Sequence, residues 1–231
     1  MKFATIILII IIITGWKRPR MEFTDQEKET IAERKDTSTP LHINYMNRGH
    51  YYASSPHRKD LEGAGGWAES ENSSRKIQEN NKFNKDRLVL LLDTSNRCTW
   101  GQRFAGIKTF VVNSSANTIF FSAQDSRLYM KMQAMDKNGE WRDIEYLPSS
   151  DCGNSYHQVY LAPGEFWEFS TPLYYGRIKT KLRLQLLYKK SATNNVQEIL
   201  YSNIIEGSIN PGQFWRKQGY SPSGIMDPYW E

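Results

Sequence analysis

The side chains in this chain that could do chemistry are two cysteines, four histidines and one acidic turn. Cys98 and Cys152 form an even pair, which in an oxidising compartment reads as one disulfide. The bridge would close a loop of about 50 residues, for which the chain-entropy model gives roughly 4 kcal/mol. Two separate buried thiols are the alternative, and neither cysteine has a His or Lys beside it to favour a thiolate. His42, His50, His57 and His157 show no H-x-x-x-H or H-E-x-x-H spacing, so no zinc site is expected. Asp136-Lys137-Asn138-Gly139-Glu140 gathers oxygen donors, but a calcium-binding EF-hand loop needs its Gly at about the sixth place and a bidentate Glu at about the twelfth, whereas Gly139 stands fourth, so a hairpin turn is the better reading. No G-x-S-x-G, phosphate-loop or dinucleotide pattern is present. The chain is therefore expected to be non-enzymatic, with no metal and no cofactor.

Aromatic residues are the remaining lead. Phe214, Trp215, Tyr229 and Trp230 lie in a Pro- and Gly-punctuated tail, and Trp100 stands two residues after Cys98. Exposed rings can stack on sugar faces or fill a partner's pocket, because each offers a large area at low entropy cost. The alternative is that the tail folds back over one end of the domain. Lys179, Lys181 and Arg183 make a basic stripe that could meet anionic groups or be a solvated face that discourages edge pairing. The expectation is a non-catalytic protein that binds a protein or cell-surface partner through a sheet edge or the aromatic tail. The alternative is a carbohydrate-binding module that uses Trp100, Trp215 or Trp230. A net charge of +5 without a basic cluster gives no nucleic-acid footprint.

These residues need a scaffold, and the chain divides into four stretches. Residues 1–16 carry the apolar run Phe3 to Thr14 behind Lys2, too short to span a bilayer comfortably and of signal-peptide length. It reads as a signal peptide, or as a short membrane anchor if uncleaved. The protein is thus expected to be exported, and to be periplasmic, membrane-anchored or extracellular. Residues 17–86 are polar and include Gly63-Ala64-Gly65-Gly66, a composition expected to leave a mostly disordered linker.

From 87 to 209 the pattern changes to strands. Leu88 to Leu92 is a continuous apolar run, expected to be buried on both faces. Ile107 to Val112 and Thr118 to Ala123 are β-branched and aromatic, separated by Asn113-Ser114-Ser115-Ala116-Asn117. Asp136 to Gly139 predicts a hairpin before a strand over Trp141 to Leu147. Pro163-Gly164 predicts a turn before Phe166 to Phe169. Ile178, Thr180, Leu182, Leu184 and Leu186 alternate with polar residues, so one face should be core and the other wet. The fold class expected is all-β, an antiparallel sandwich, with residues 210–231 as its C-terminal tail.

Strand spacing, the aromatic strand at Trp167 and the last strand at Leu200-Tyr201-Ser202-Asn203 resemble an immunoglobulin or fibronectin type III sandwich. Cys152-Gly153-Asn154-Ser155-Tyr156-His157, Pro163-Gly164-Glu165-Phe166-Trp167, Lys179-Thr180-Lys181-Leu182-Arg183 and Gly207-Ser208-Ile209-Asn210-Pro211 are similar to uncharacterised exported proteins of Gram-negative bacteria. That resemblance implies the fold and no activity. In antibody-type domains a Trp lies between two strand cysteines; here Trp167 follows Cys152, so a bridge would tie a loop to a strand edge.

Overall fold

A computed structural model describes residues 38–58, 67–78, 83, 86–224 and 227–229. The leader and Trp230 lie outside the described residues. The fold is all-β. Two short strands, β1 (Asn47–Arg48) and β2 (Arg75–Lys76), precede the long hairpin of β3 (Leu88–Trp100) and β4 (Phe104–Asn113). Then come β5 (Ile119–Gln124), β6 (Arg127–Leu128), β7 (Met130–Met135), β8 (Trp141–Asp143) and β9 (Glu145–Tyr146). The second half supplies β10 (Tyr156–Leu161), β11 (Glu165–Pro172), β12 (Ile178–Tyr188), β13 (Glu198–Tyr201) and β14 (Ile205–Ile209).

The strands form one sheet ordered β2-β11-β4-β3 and a second ordered β13-β12-β7-β8, with β14 also pairing β12. A three-stranded sheet β10-β5-β6 adjoins the second through the bridge Phe120↔Lys189. All pairings in these sheets are antiparallel, and β1 pairs β9 in parallel. Leu90, Ile107, Phe121, Met132, Trp167 and Leu184 are among the residues from these sheets that close on a single core.

Local chemistry explains the turns. Asp136 Oδ1 accepts the Asn138 and Glu140 amides, and Gly139 takes φ 81°, where a side chain would be strained. The alternation along β12 holds: Leu182, Leu184 and Leu186 are buried, while Lys179 and Lys181 are exposed. Two strand expectations need amending. Of the run Leu88 to Leu92, Leu90 and Leu92 alone are fully buried, because β3 is an edge strand. The strand expected over Trp141 to Leu147 is split into β8 and β9. Its cause is Glu145, whose carboxylate turns inward and accepts the Met132 amide at 2.8 Å, while the backbone moves over to pair β1.

The reading of 17–86 as mostly disordered linker is corrected where the structure describes it. Residues 38–58 form a strap that contributes Leu41, Tyr51 and Ala53 to the core. It is held chiefly by backbone pairing: the Leu41 amide to Leu173 O at 2.7 Å, the Ala53 amide to Ser126 O at 2.8 Å and the Leu128 amide to Tyr51 O at 2.9 Å. Ser54 O also accepts the indole N–H of the buried Trp167 at 2.9 Å. Mean composition misses such a segment because a few buried side chains and satisfied edge groups can offset its ordering entropy.

Candidate functional site

The aromatic tail does not hang free. Residues 211–214 form a 3-10 turn capped by Asn210, whose amide donates to Gln213 Oε1 at 2.9 Å. The turn lies against the strap so closely that a Cβ at Gly212 would sit 2.2 Å from Asn44 O. Phe214 is half-buried against the core. Tyr229 is buried, donates its hydroxyl to the Asp125 carboxylate and lies 5.0 Å from the Arg127 guanidinium. Trp100 is half-buried at the end of β3, edge-on to His50 at 5.1 Å. Trp215 is 72 % exposed. Of the predicted aromatic residues among the described ones, Trp215 alone is strongly exposed.

The expected disulfide is a further correction. Cys98 and Cys152 are free thiols. Cys98 stands opposite Gly106 in the β3–β4 hairpin, whereas Cys152 leads through the turn Gly153–Ser155 into β10 of another sheet.

The sheet β13-β12-β7-β8 does assemble a surface. The Arg183 guanidinium lies 4.2 Å from the ring centre of Trp141 on β8 and 3.7 Å from that of Tyr201 on β13. Below it, Arg183 Nε donates to Gln133 Oε1 at 3.0 Å, and Gln133 Nε2 donates to Asp143 Oδ1 and Gln185 Oε1. Arg183 is thus held by two rings and one amide, with burial pushing its pKa down. Ile199 shares the outward face of β13 with Tyr201, and Val196 and Ile204 flank the strand, all exposed. The outer edge of β13 has no strand partner among the described residues. Lys179 and Lys181 add positive charge without an ion pair among the described residues, whereas Lys131 is paired with Asp143 and Lys190 with Glu198. The basic stripe was visible in sequence. Its aromatic neighbours were not, because Trp141, Arg183 and Tyr201 come from three strands whose register is set by tertiary pairing.

A buried polar group lies inside the fold. Glu145 is fully buried, accepting the Tyr174 hydroxyl at 2.6 Å and the Met132 amide, and burial pushes its pKa up to about 7. Burial, and then the Glu145 charge, push Tyr51 and Tyr174 well above the usual phenol range. His50, half-buried beside Tyr51 and Trp100, is lowered to about 4 by desolvation. None of these groups opens onto the Arg183 face.

The chain matches no protein-family model, and no curated protein matches it.

Proposed function

We propose that this is a non-catalytic, exported binding protein that docks an acidic segment of a partner protein on the outer face of the β13-β12-β7-β8 sheet. The observation that carries it is Arg183 clasped between Trp141 and Tyr201 beside the exposed Ile199. Trp, Tyr and Arg are the residues that dominate binding energy at protein interfaces, and a preordered guanidinium loses little freedom on docking. An open edge strand carrying exposed apolar side chains also favours pairing with another chain. The unpaired Lys179 and Lys181 favour an acidic partner. Export is supported by the apolar run behind Lys2, and an immunoglobulin- or fibronectin-like sandwich by the antiparallel sheets around a shared core. A carbohydrate-binding module is the second reading, favoured by the exposed indole of Trp215.

The test is site-specific photo-crosslinking of the full-length protein in its native cells, with the probe at position 201 and a control at Tyr175, which is 60 % exposed elsewhere. A discrete protein adduct is expected at 201 and none at 175, with Arg183→Glu reducing it at least about tenfold. An adduct indifferent to Arg183→Glu, or none at 201, would sink the reading.

A further inference from the structure

One side of β12 is paired along its length and the other is not. Leu182 pairs both Ala134 of β7 and Ile205 of β14, so β7 and β14 lie on opposite sides of the strand. β14 continues along β12 to Ile178, whereas the pairing with β7 begins at Leu182. On the β7 side the stretch from Ile178 to Thr180 is therefore an open edge, with no strand partner among the described residues. The reason is local. β7 ends at Met135, whose carbonyl accepts the Thr180 hydroxyl at 2.6 Å, and Asp136 at once starts the turn into β8. Main-chain groups alternate in direction along a strand. The Ser202 amide reaches Leu184 O from the β13 side, and the Leu187 amide donates to Tyr129 O on the β7 side. Odd-numbered residues thus face β7, and the Lys179 amide and carbonyl point to the open edge.

This edge forms one wall of a cleft of about 760 Å³, whose lining also includes Met135, Lys137, Glu206 and Phe214. Its two faces differ in chemistry. Lys179 and Lys181 point outward and are exposed, whereas Ile178 and Thr180 alternate to the other face, where half-buried Phe214 packs against the core. Arg142, also at the cleft, is occupied by Asp136 and Glu140. Glu206 stands opposite Lys181 in the β12–β14 ladder. Counting that carboxylate against Lys181 still leaves Lys137 and Lys179 without an ion pair among the described residues. A chain laid along β12 shows alternate side chains to the two faces. The chain that fits carries acids in register with the lysines and apolar side chains toward Ile178 and Phe214.

We propose that the open edge of β12 takes an extended acidic peptide as an added strand, its main chain bonded to Lys179, its carboxylates beside Lys179 and Lys181, and its alternate apolar side chains against Ile178 and Phe214. This names the conformation and pattern of the acidic segment read at the Arg183 face and rests on that reading, since Lys179, Lys181 and Arg183 share one face of β12. The test titrates fluorescein-labelled, capped hexapeptides into full-length protein and follows anisotropy. A peptide alternating aspartate and valine should bind, and one with its aspartates and valines in separate blocks should bind at least tenfold more weakly. N-methylating the aspartates should also weaken binding at least tenfold, and N-methylating the valines should not, because in antiparallel addition the residue opposite Lys179 exchanges both main-chain bonds with it. The reverse dependence marks a parallel strand and equally supports the site. Lys179→Glu, at an exposed position, should weaken the alternating peptide at least tenfold. No binding, equal binding of alternating and block peptides, indifference to both N-methyl sets, or unchanged affinity in Lys179→Glu would overturn it. Tighter binding of laurate, or a dimer that Lys179→Glu abolishes, would assign the cleft to an amphiphile or a second copy and overturn it as well. An Arg183-dependent adduct at position 201 alongside any of these results leaves acidic docking standing and removes strand addition alone.

Discussion

Glu145 and Glu168 are the same residue type under opposite rules. Glu145 lies in the core with two hydrogen-bond donors and no ion-pairing cation among the described residues, and burial pushes its pKa up to about 7 despite those donors. Glu168 sits on the outer side of β11. Burial alone would raise its pKa, but Lys108 and Arg75 outweigh burial and hold the carboxyl below its usual value. Hydrogen bonds alone do not compensate a buried carboxylate for lost hydration, whereas two half-exposed cations do so easily. The interior group therefore makes stability pH-sensitive, while the surface group contributes little.

The largest effect should come from Glu145→Gln. Unfolded Glu145 titrates at its ordinary 4.5, so its contribution to stability is fully present below that pH and is lost as pH rises through about 7. The stability difference between variant and wild type should thus move in the variant's favour by on the order of 3 kcal/mol between pH 4 and pH 8. Urea unfolding across that range reads it, and a pH-independent difference would break the comparison. His50 has the opposite sign: held neutral by burial down to about 4, it contributes stability that is lost as pH falls from its ordinary 6.5. The wild type should consequently show a flatter profile than either group alone would give.

Tyr174→Phe comes next, because it removes the hydroxyl donor from Glu145 Oε1. It should cost about 2 kcal/mol at pH 8, less at pH 4, and raise the Glu145 midpoint measured by carboxyl NMR. An equal cost at both pH values would mean that the hydroxyl matters for packing rather than for charge. Glu168→Gln is the smallest, at most about 1 kcal/mol at pH 7 and reduced by salt. Its contribution is present above the unfolded carboxyl pKa and disappears as pH falls through the depressed folded value. A larger loss would place the Lys108–Glu168–Arg75 cluster on a par with the interior.

The legible parts of the fold were those encoded by neighbours in sequence. The β7–β8 hairpin rests on Asp136 and Gly139, and the turn before β11 on Gly164, which takes φ 72°. The burial of β12 follows from its alternation. Of the candidate site, Arg183 was legible as part of a basic stripe, but Trp141 and Tyr201 gave no signal of facing it. Trp67, a lone indole beside Gly63 to Gly66 in a polar stretch, carries no local sign of its stacking on His157, because that contact joins segments far apart in the chain.

By itself the sequence determined an all-β chain, its surest turns and which side of β12 is wet, since these depend on periodicity and on residues a few positions apart. Tertiary structure alone decided that residues 38–58 contribute to the core, that Cys98 on β3 and Cys152 in the loop before β10 stay unpaired, that Glu145 turns inward, and that Arg183 and His157 each meet an aromatic ring from a distant segment. Strap pairing satisfies backbone groups rather than burying many side chains, so it leaves little trace in composition. Contacts across sheets depend on register and strand order, which no local pattern records.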